Sequence, residues 1–117
     1  MKLMKTLPIL LGMLLLMVSL SAQEAAVLEN IEICPNPMGK FAAISITFSQ
    51  PVNVGVNIQT EGGEIVRNLF WGPAGEMLQL TWNRLDDYGN HTPAGKYFLV
   101  VNHEGRYTST KKTIILK

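Results

Sequence analysis

The feature that most constrains the fold is a run of strict alternation between apolar and polar residues. From Val52 to Gln59 every second residue is aliphatic, and the residues between are asparagine, glutamine or glycine. Because successive side chains of a β-strand point to opposite faces, this pattern predicts a strand with one buried face. The period of two recurs from residue 42 onward, and no window of a dozen residues after residue 22 has the 3.6-residue period of an amphipathic helix. The sequence therefore predicts an all-β domain.

Other strands are predicted where the alternation returns between turn residues. They are residues 42–48, 65–70, 77–82, 97–102 and a last strand that ends at Leu116. Residues 97–102 are apolar on both faces, which favours a strand in the interior of a sheet. Turn signals recur at intervals of roughly 8–12 residues. The pattern predicts a single antiparallel immunoglobulin-like β-sandwich of about seven strands, with a barrel as the alternative.

The segment between two predicted strands, from Trp82 to Tyr97, is dense in residues that favour turns. Asparagine and aspartate side chains hydrogen-bond the nearby backbone, glycine allows a positive φ, and proline fixes its own φ. In this segment these residues include Asn83, Asp86, Asp87, Gly89, Pro93 and Gly95. We expect an ordered corner at which the chain passes from one sheet to the other. Trp82 is predicted to lie in the core, with Tyr97 packed beside it.

The N-terminal segment has the pattern of a secretory signal peptide. Lys2 and Lys5 precede an apolar run from Leu7 to Leu20, and small residues occupy the positions that a signal peptidase recognises ahead of Gln23. The apolar run of about 14 residues is shorter than the roughly 20 that a bilayer span needs, which disfavours the alternative of a retained membrane anchor. The predicted divisions are a signal peptide over residues 1–22, a flexible lead-in over 23–30 and the sandwich domain over 31–117.

The charge of the exported chain excludes some classes of partner. Without Lys2 and Lys5, eight basic and nine acidic residues remain, which gives a net charge near −1. Nucleic acid and anionic lipid attract proteins with a clustered positive field. We therefore expect no nucleic-acid partner. From the predicted signal peptide we expect no membrane span after cleavage, and a location in the periplasm, on the outer-membrane surface or in the extracellular space.

Cys34 is the only cysteine, so no disulfide can form within the chain. A small exported domain without a disulfide depends on its apolar core alone. Cys34 is predicted to be a small buried apolar residue, and a disulfide between two chains is the alternative.

The sequence predicts no catalytic residue, metal site or cofactor, and hence no enzyme. Asp86 and Asp87 are the candidate calcium ligands, but the loop has fewer carboxylates at alternating positions than a tight calcium site. We expect them instead to make the hydrogen bonds that fix the corner. His91 and His103 lie on separate predicted turns and are expected to be solvated.

Trp71 is the aromatic residue that the alternation does not place in the core. It precedes Gly72 and Pro73, directly after the predicted strand 65–70. One interpretation is a lid over an end of the sandwich. The other is an exposed contact for a partner, either a protein or a carbohydrate of the cell envelope.

Five segments resemble, in order, the motifs of a family of small bacterial immunoglobulin-like domains. They are Cys-Pro-Asn-Pro at 34–37, the hairpin at 60–67, Ala-Gly with Leu-Thr-Trp-Asn at 74–83, Asp-Asp-Tyr-Gly-Asn to Pro-Ala-Gly-Lys-Tyr at 86–97, and the basic-then-aliphatic end at 111–117. The family includes the immunoglobulin-like domain of the flagellar hook-capping protein and the C-terminal sorting domains of type IX secretion cargo. Three positions depart from its pattern: Cys34 replaces tyrosine, Asn83 replaces aspartate, and Arg84 stands where glycine is usual.

The resemblance implies two functions. The first is an exported, non-catalytic module that binds an envelope component or helps to assemble an envelope structure. The alternative is a substrate of type IX secretion whose domain acts as an export and surface-attachment signal.

Overall fold

Seven strands form two antiparallel sheets. The computed structural model describes residues 27–104 and 109–117, and within them no helix occurs. The strands are β1 (Leu28–Cys34), β2 (Ala42–Phe48), β3 (Val52–Thr60), β4 (Ile65–Ala74), β5 (Met77–Trp82), β6 (Gly95–His103) and β7 (Thr110–Leu116). One sheet has the order β1-β2-β5 and the other β4-β3-β6-β7. The predicted antiparallel β-sandwich of about seven strands is confirmed, and the strand without a predicted range is β1.

The core lies between the sheets and follows the alternation in the sequence. Val54, Val56 and Ile58 of β3 are at most 1% exposed, and they face Ile44 and Ile46 of the three-stranded sheet in one apolar cluster. Complete burial of each such aliphatic side chain contributes about 1.5–3 kcal/mol. The chain thus holds its two sheets together with apolar side chains, in the absence of any internal disulfide.

β6 is the interior strand that its apolar sequence predicts. It pairs with β3 on one side and with β7 on the other. Leu99 and Val101 belong to the core between the sheets. Val100, which alternates to the outer face, is nevertheless only 1% exposed. The outer face of the four-stranded sheet is therefore itself partly packed.

β4 is longer than predicted. The sequence pattern ended this strand at Phe70, whereas it continues through Trp71 and Pro73 to Ala74. Proline lacks the backbone N–H that a central strand needs, but β4 lies at a sheet edge, where proline is tolerated. A β-bulge at Leu69 interrupts the register between Val56 and Asn57 of β3.

The domain begins earlier than predicted. β1 starts at Leu28, so the last residues of the predicted flexible lead-in form a strand. The predicted signal peptide and residues 23–26 lie outside the described residues. No helix within 27–104 or 109–117 is long and apolar enough to span a bilayer.

The prediction that Cys34 is buried is wrong. Cys34 ends β1 and is exposed. Ile31 and Ile33 pack on the core side of β1, so the period of two turns Cys34 to the opposite face.

The segment after Cys34 runs along the edge of β7. The side chain of Asn36 donates to the carbonyl of Thr113 at 3.0 Å and accepts from the N–H of Ile115 at 2.9 Å. Met38 exchanges backbone hydrogen bonds with Ile115 and Lys117. These contacts cover the C-terminal half of an edge that otherwise presents unpaired backbone groups.

Candidate functional site

The predicted corner between β5 and β6 is a short hairpin. The N–H of Asp86 donates to the carbonyl of Asn90 at 2.8 Å, and the N–H of Thr92 donates to the carbonyl of Arg84 at 2.9 Å. β5 belongs to the three-stranded sheet and β6 to the four-stranded sheet. The chain therefore passes from one sheet to the other at this hairpin, as its turn residues predict.

Asp86 closes the tip of the hairpin. Its Oδ1 accepts from the N–H of Tyr88 at 2.9 Å and from the N–H of Asn90 at 2.8 Å. Gly89 has φ 85° and Gly95 has φ 151°, conformations that residues with a side chain rarely adopt. The carboxylate of Asp86 is thus a turn-forming acceptor, the role that the sequence favoured over a calcium ligand.

Asp87 joins the corner to the edge of β4. Its carboxylate accepts from the backbone N–H and from the side-chain amide of Asn68, both at 2.9 Å, and its own N–H donates to the carbonyl of Val66 at 2.9 Å. The guanidinium of Arg67 lies 4.0 Å from the same carboxylate. Asp87 therefore satisfies edge groups of β4 that would otherwise be open to another strand.

Two aromatic residues anchor the ends of the corner. Trp82 is fully buried, and its indole N–H donates to the carbonyl of Leu85 at 3.0 Å. The side chain of Asn83 accepts from the N–H of Leu85 at 3.2 Å, an Asx-type turn. Tyr97 is half-buried at the start of β6, and its hydroxyl donates to the carbonyl of Pro93 at 2.9 Å. This last bond is the tyrosine corner of immunoglobulin-like sandwiches.

Arg84 is the corner residue that sequence reasoning missed. It is 6% exposed and has φ 66°. Its guanidinium donates to the carbonyls of Thr92 at 2.9 Å, Gly39 at 3.0 Å and Lys117 at 2.8 Å. One side chain thus ties the corner to the loop before β2 and to the end of β7. The sequence feature that could have indicated this role is the identity of the residue: Arg84 is a long charged residue at a position where the family that this chain resembles has glycine.

The two histidines have different environments. His91 is exposed and pairs with Leu85 in the corner hairpin. His103 ends β6 opposite Val54 and is 8% exposed, so the prediction that it is solvated is wrong. Within 27–104 and 109–117, no three histidine, cysteine, aspartate or glutamate side chains lie close enough to hold a metal ion together.

Trp71 lies on the outer face of the four-stranded sheet and is 79% exposed. It is paired with Gly55 of β3, and the benzo ring of its indole lies over that glycine. A Cβ atom at position 55 would stand 2.9 Å from Cε3 and 3.2 Å from Cζ3 of the indole. Trp71 is therefore not a lid over an end of the sandwich. The absence of a side chain at Gly55 allows the ring to occupy this position.

Beside the indole is a cavity of about 490 Å³. We refer to it as the Trp71 surface; its polar lining consists of the side chains of Asn57, Asn68 and Asn102, and Gly55 forms part of its base. No charged residue of the described ranges 27–104 and 109–117 lines it. The oxygen of Asn57 accepts from Gln59, and the amide of Asn68 donates to Asp87. The Trp71 surface thus combines one apolar wall with several amide groups.

Neither a protein-family model nor a curated protein sequence matches the chain. Its fold is similar to part of the dimeric latent form of PorU from Porphyromonas gingivalis, with a TM-score of 0.60 and 26% identity over 74% of this chain. A second similarity is to PorZ from the same organism, with a TM-score of 0.50 and 18% identity over 76% of this chain. PorZ is described as an essential bacterial surface component of the type IX secretion system. The chain corresponds to 9% of the PorU chain and 12% of the PorZ chain.

Proposed function

We propose that this chain is an exported, non-catalytic immunoglobulin-like module associated with type IX secretion. The observation that carries the proposal is the similarity to PorU, 26% identical over 74% of the chain. The similarity of fold to PorZ, a surface component of the same secretion system, supports it. The resemblance of the sequence to type IX sorting domains supports the proposal independently of the structure.

The proposed role is that of a folded element recognised by its surface. In the structure, Asp87 covers part of the edge of β4, and Asn36 and Met38 cover part of the edge of β7. A module with covered edges resists uncontrolled strand pairing, which suits a protein that folds outside the cytoplasm. Its location would then be the outer-membrane surface or the extracellular space.

A reporter fusion tests the association with type IX secretion. A reporter with a signal peptide is joined to residues 23–117 and produced in Porphyromonas gingivalis and in a strain lacking PorZ. We expect the reporter on the surface or in the medium of the parent strain, and in the periplasm of the strain without PorZ. The same reporter without the domain should stay in the periplasm of both strains.

Two outcomes would count against this function. If the fusion stays in the periplasm of the parent strain, the domain is not an export signal. If it reaches the surface equally in the strain without PorZ, its export does not depend on type IX secretion.

The second candidate function is a free-standing binding module of the cell envelope. It is favoured by Trp71, because an indole that is 79% exposed at a cavity wall does not stabilise the core. The two functions are compatible, and different measurements test them.

A further inference from the structure

We propose that the Trp71 surface is a binding site for neutral carbohydrate, specifically for a pyranose unit that presents one face of C–H bonds. The ligand would pack this face against the indole of Trp71 and direct its hydroxyl groups to the neighbouring asparagine side chains. The proposal goes beyond an association with secretion, since it assigns a ligand class to a surface on the opposite side of the sheet from the core.

The indole provides the apolar part of the site. Its benzo ring is positioned over Gly55, and 79% of the residue is open to solvent. An exposed tryptophan offers a large, rigid contact area that loses little conformational entropy on binding. The cavity beside it, about 490 Å³, lies within the range of roughly 300–1,000 Å³ that is typical of small-molecule sites.

The polar part of the site has unused hydrogen-bonding capacity. Among the described residues, no acceptor is in contact with the side-chain N–H groups of Asn57 or Asn102, and no donor with the side-chain oxygen of Asn68. The three amides therefore offer donors and an acceptor to one ligand. A hydroxyl group is both donor and acceptor, so a sugar can satisfy both kinds of amide group.

The described residues that line the Trp71 surface favour a neutral ligand. Within residues 27–104 and 109–117, no aspartate, glutamate, lysine or arginine lines this surface. Elsewhere on this sheet, the ammonium groups of Lys96 and Lys111 lie 5.6 and 5.9 Å from the ring centre of Phe98. Phe98 pairs with Gln59, four residues along β3 from Gly55.

Two tryptophans allow binding to be measured with an internal reference. The full chain is expressed, and the indole N–H signals of Trp71 and Trp82 are followed by NMR during titration with cellohexaose, chitohexaose and maltohexaose. Trp82 is fully buried and donates to Leu85, so its signal should stay unchanged. We expect at least one of these neutral sugars to shift the Trp71 signal, with a dissociation constant of about 1 mM, typical of a small exposed site.

Three variants distinguish binding at the Trp71 surface from nonspecific binding to other exposed aromatic residues. Trp71→Ala should weaken binding at least about tenfold, since one stacking contact of about 1.4 kcal/mol accounts for that factor. Gly55→Ala keeps the indole but forces it from its place, because the new Cβ would lie 2.9 Å from Cε3. It should weaken binding severalfold. Tyr88→Ala removes another aromatic, which is 91% exposed and is not among the residues that line the Trp71 surface, and should leave binding unchanged.

The thermal midpoint of each variant shows whether it is folded. Because Trp71 is mostly exposed, Trp71→Ala should melt close to the parent. The proposal is overturned if none of the three sugars shifts the Trp71 signal at about 10 mM, tenfold above the expected dissociation constant. Binding to Trp71→Ala, which has no Trp71 signal, is followed through the side-chain amide signals of Asn57 and Asn102. The proposal is also overturned if Trp71→Ala binds the same sugar as tightly as the parent, or if binding weakens sharply with added salt, which would indicate the lysines near Phe98. Each of these results leaves the reporter assay for secretion unaffected.

Discussion

Replacing Arg84 tests whether the corner between the sheets is held by a single side chain. Arg84 has two opposed effects on the stability of the fold. Its φ of 66° is unfavourable for a residue with a Cβ, and its guanidinium donates three hydrogen bonds to backbone carbonyls. Arg84→Ala removes the bonds and keeps the unfavourable φ, whereas Arg84→Gly removes both.

The two variants should differ by a predictable amount. A hydrogen bond from a charged donor contributes about 1.5–3 kcal/mol. The carbonyls of Gly39 and Lys117 are only partly buried and regain water when the arginine is lost, so the lower end of this range applies. We expect Arg84→Ala to lower the free energy of unfolding by about 3–5 kcal/mol. Arg84→Gly should lower the free energy of unfolding by about 1 kcal/mol less than Arg84→Ala does, because glycine has no steric cost at this φ.

Urea unfolding followed by tryptophan fluorescence measures these differences, since Trp82 changes from fully buried to exposed. Arg84→Lys is the matched control, because it keeps the positive charge and replaces the planar fork by a single ammonium. It should be nearly as unstable as Arg84→Ala. The reasoning is refuted if Arg84→Ala unfolds within about 1 kcal/mol of the parent, or if Arg84→Gly is less stable than Arg84→Ala.

Four further predictions concern the core, the last strand, the corner and the N-terminus. Trp82→Ala should lower the free energy of unfolding by about 3–5 kcal/mol, and a variant as stable as the parent would place this residue outside the core. Deletion of residues 113–117 removes the buried part of β7 and should yield an unfolded or aggregated protein even in a cytoplasm without the secretion system; a folded monomer there would contradict it. Adding a chelator should not change the thermal midpoint, because Asp86 and Asp87 are used in hydrogen bonds. If the protein did bind calcium, calcium at 100 times its dissociation constant would stabilise the fold by roughly 2.7 kcal/mol, and the chelator would lower the midpoint accordingly. N-terminal sequencing of exported material should begin at Gln23, whereas a membrane-bound chain that retains residue 1 would contradict the predicted signal peptide.

Local sequence pattern was sufficient for most strands and for the corner. The alternation from Val52 to Gln59 reproduces β3, and the turn residues between Trp82 and Tyr97 coincide with the change of sheet. Both features depend on residues close together in the chain. Side-chain period and turn chemistry act at that range.

The features that the sequence did not predict depend on distant residues. Pro73 argued for the end of β4, and only the place of β4 at a sheet edge explains why the strand continues. Arg84 is buried because carbonyls of Gly39 and Lys117 converge on it from far along the chain. Trp71 meets Gly55 through a register that a β-bulge shifts, so alternation alone could not place its indole.

The central claim, that this module is exported to the cell surface or beyond, is tested most directly by surface labelling of the full chain in its native cells. An amine-reactive label that does not cross the outer membrane is added to intact cells and to permeabilised cells. The exposed lysines Lys40, Lys96 and Lys111 are the expected targets. The account predicts that the protein is labelled in intact cells or is recovered from the medium. Labelling only after permeabilisation would place the protein in the periplasm and contradict the claim.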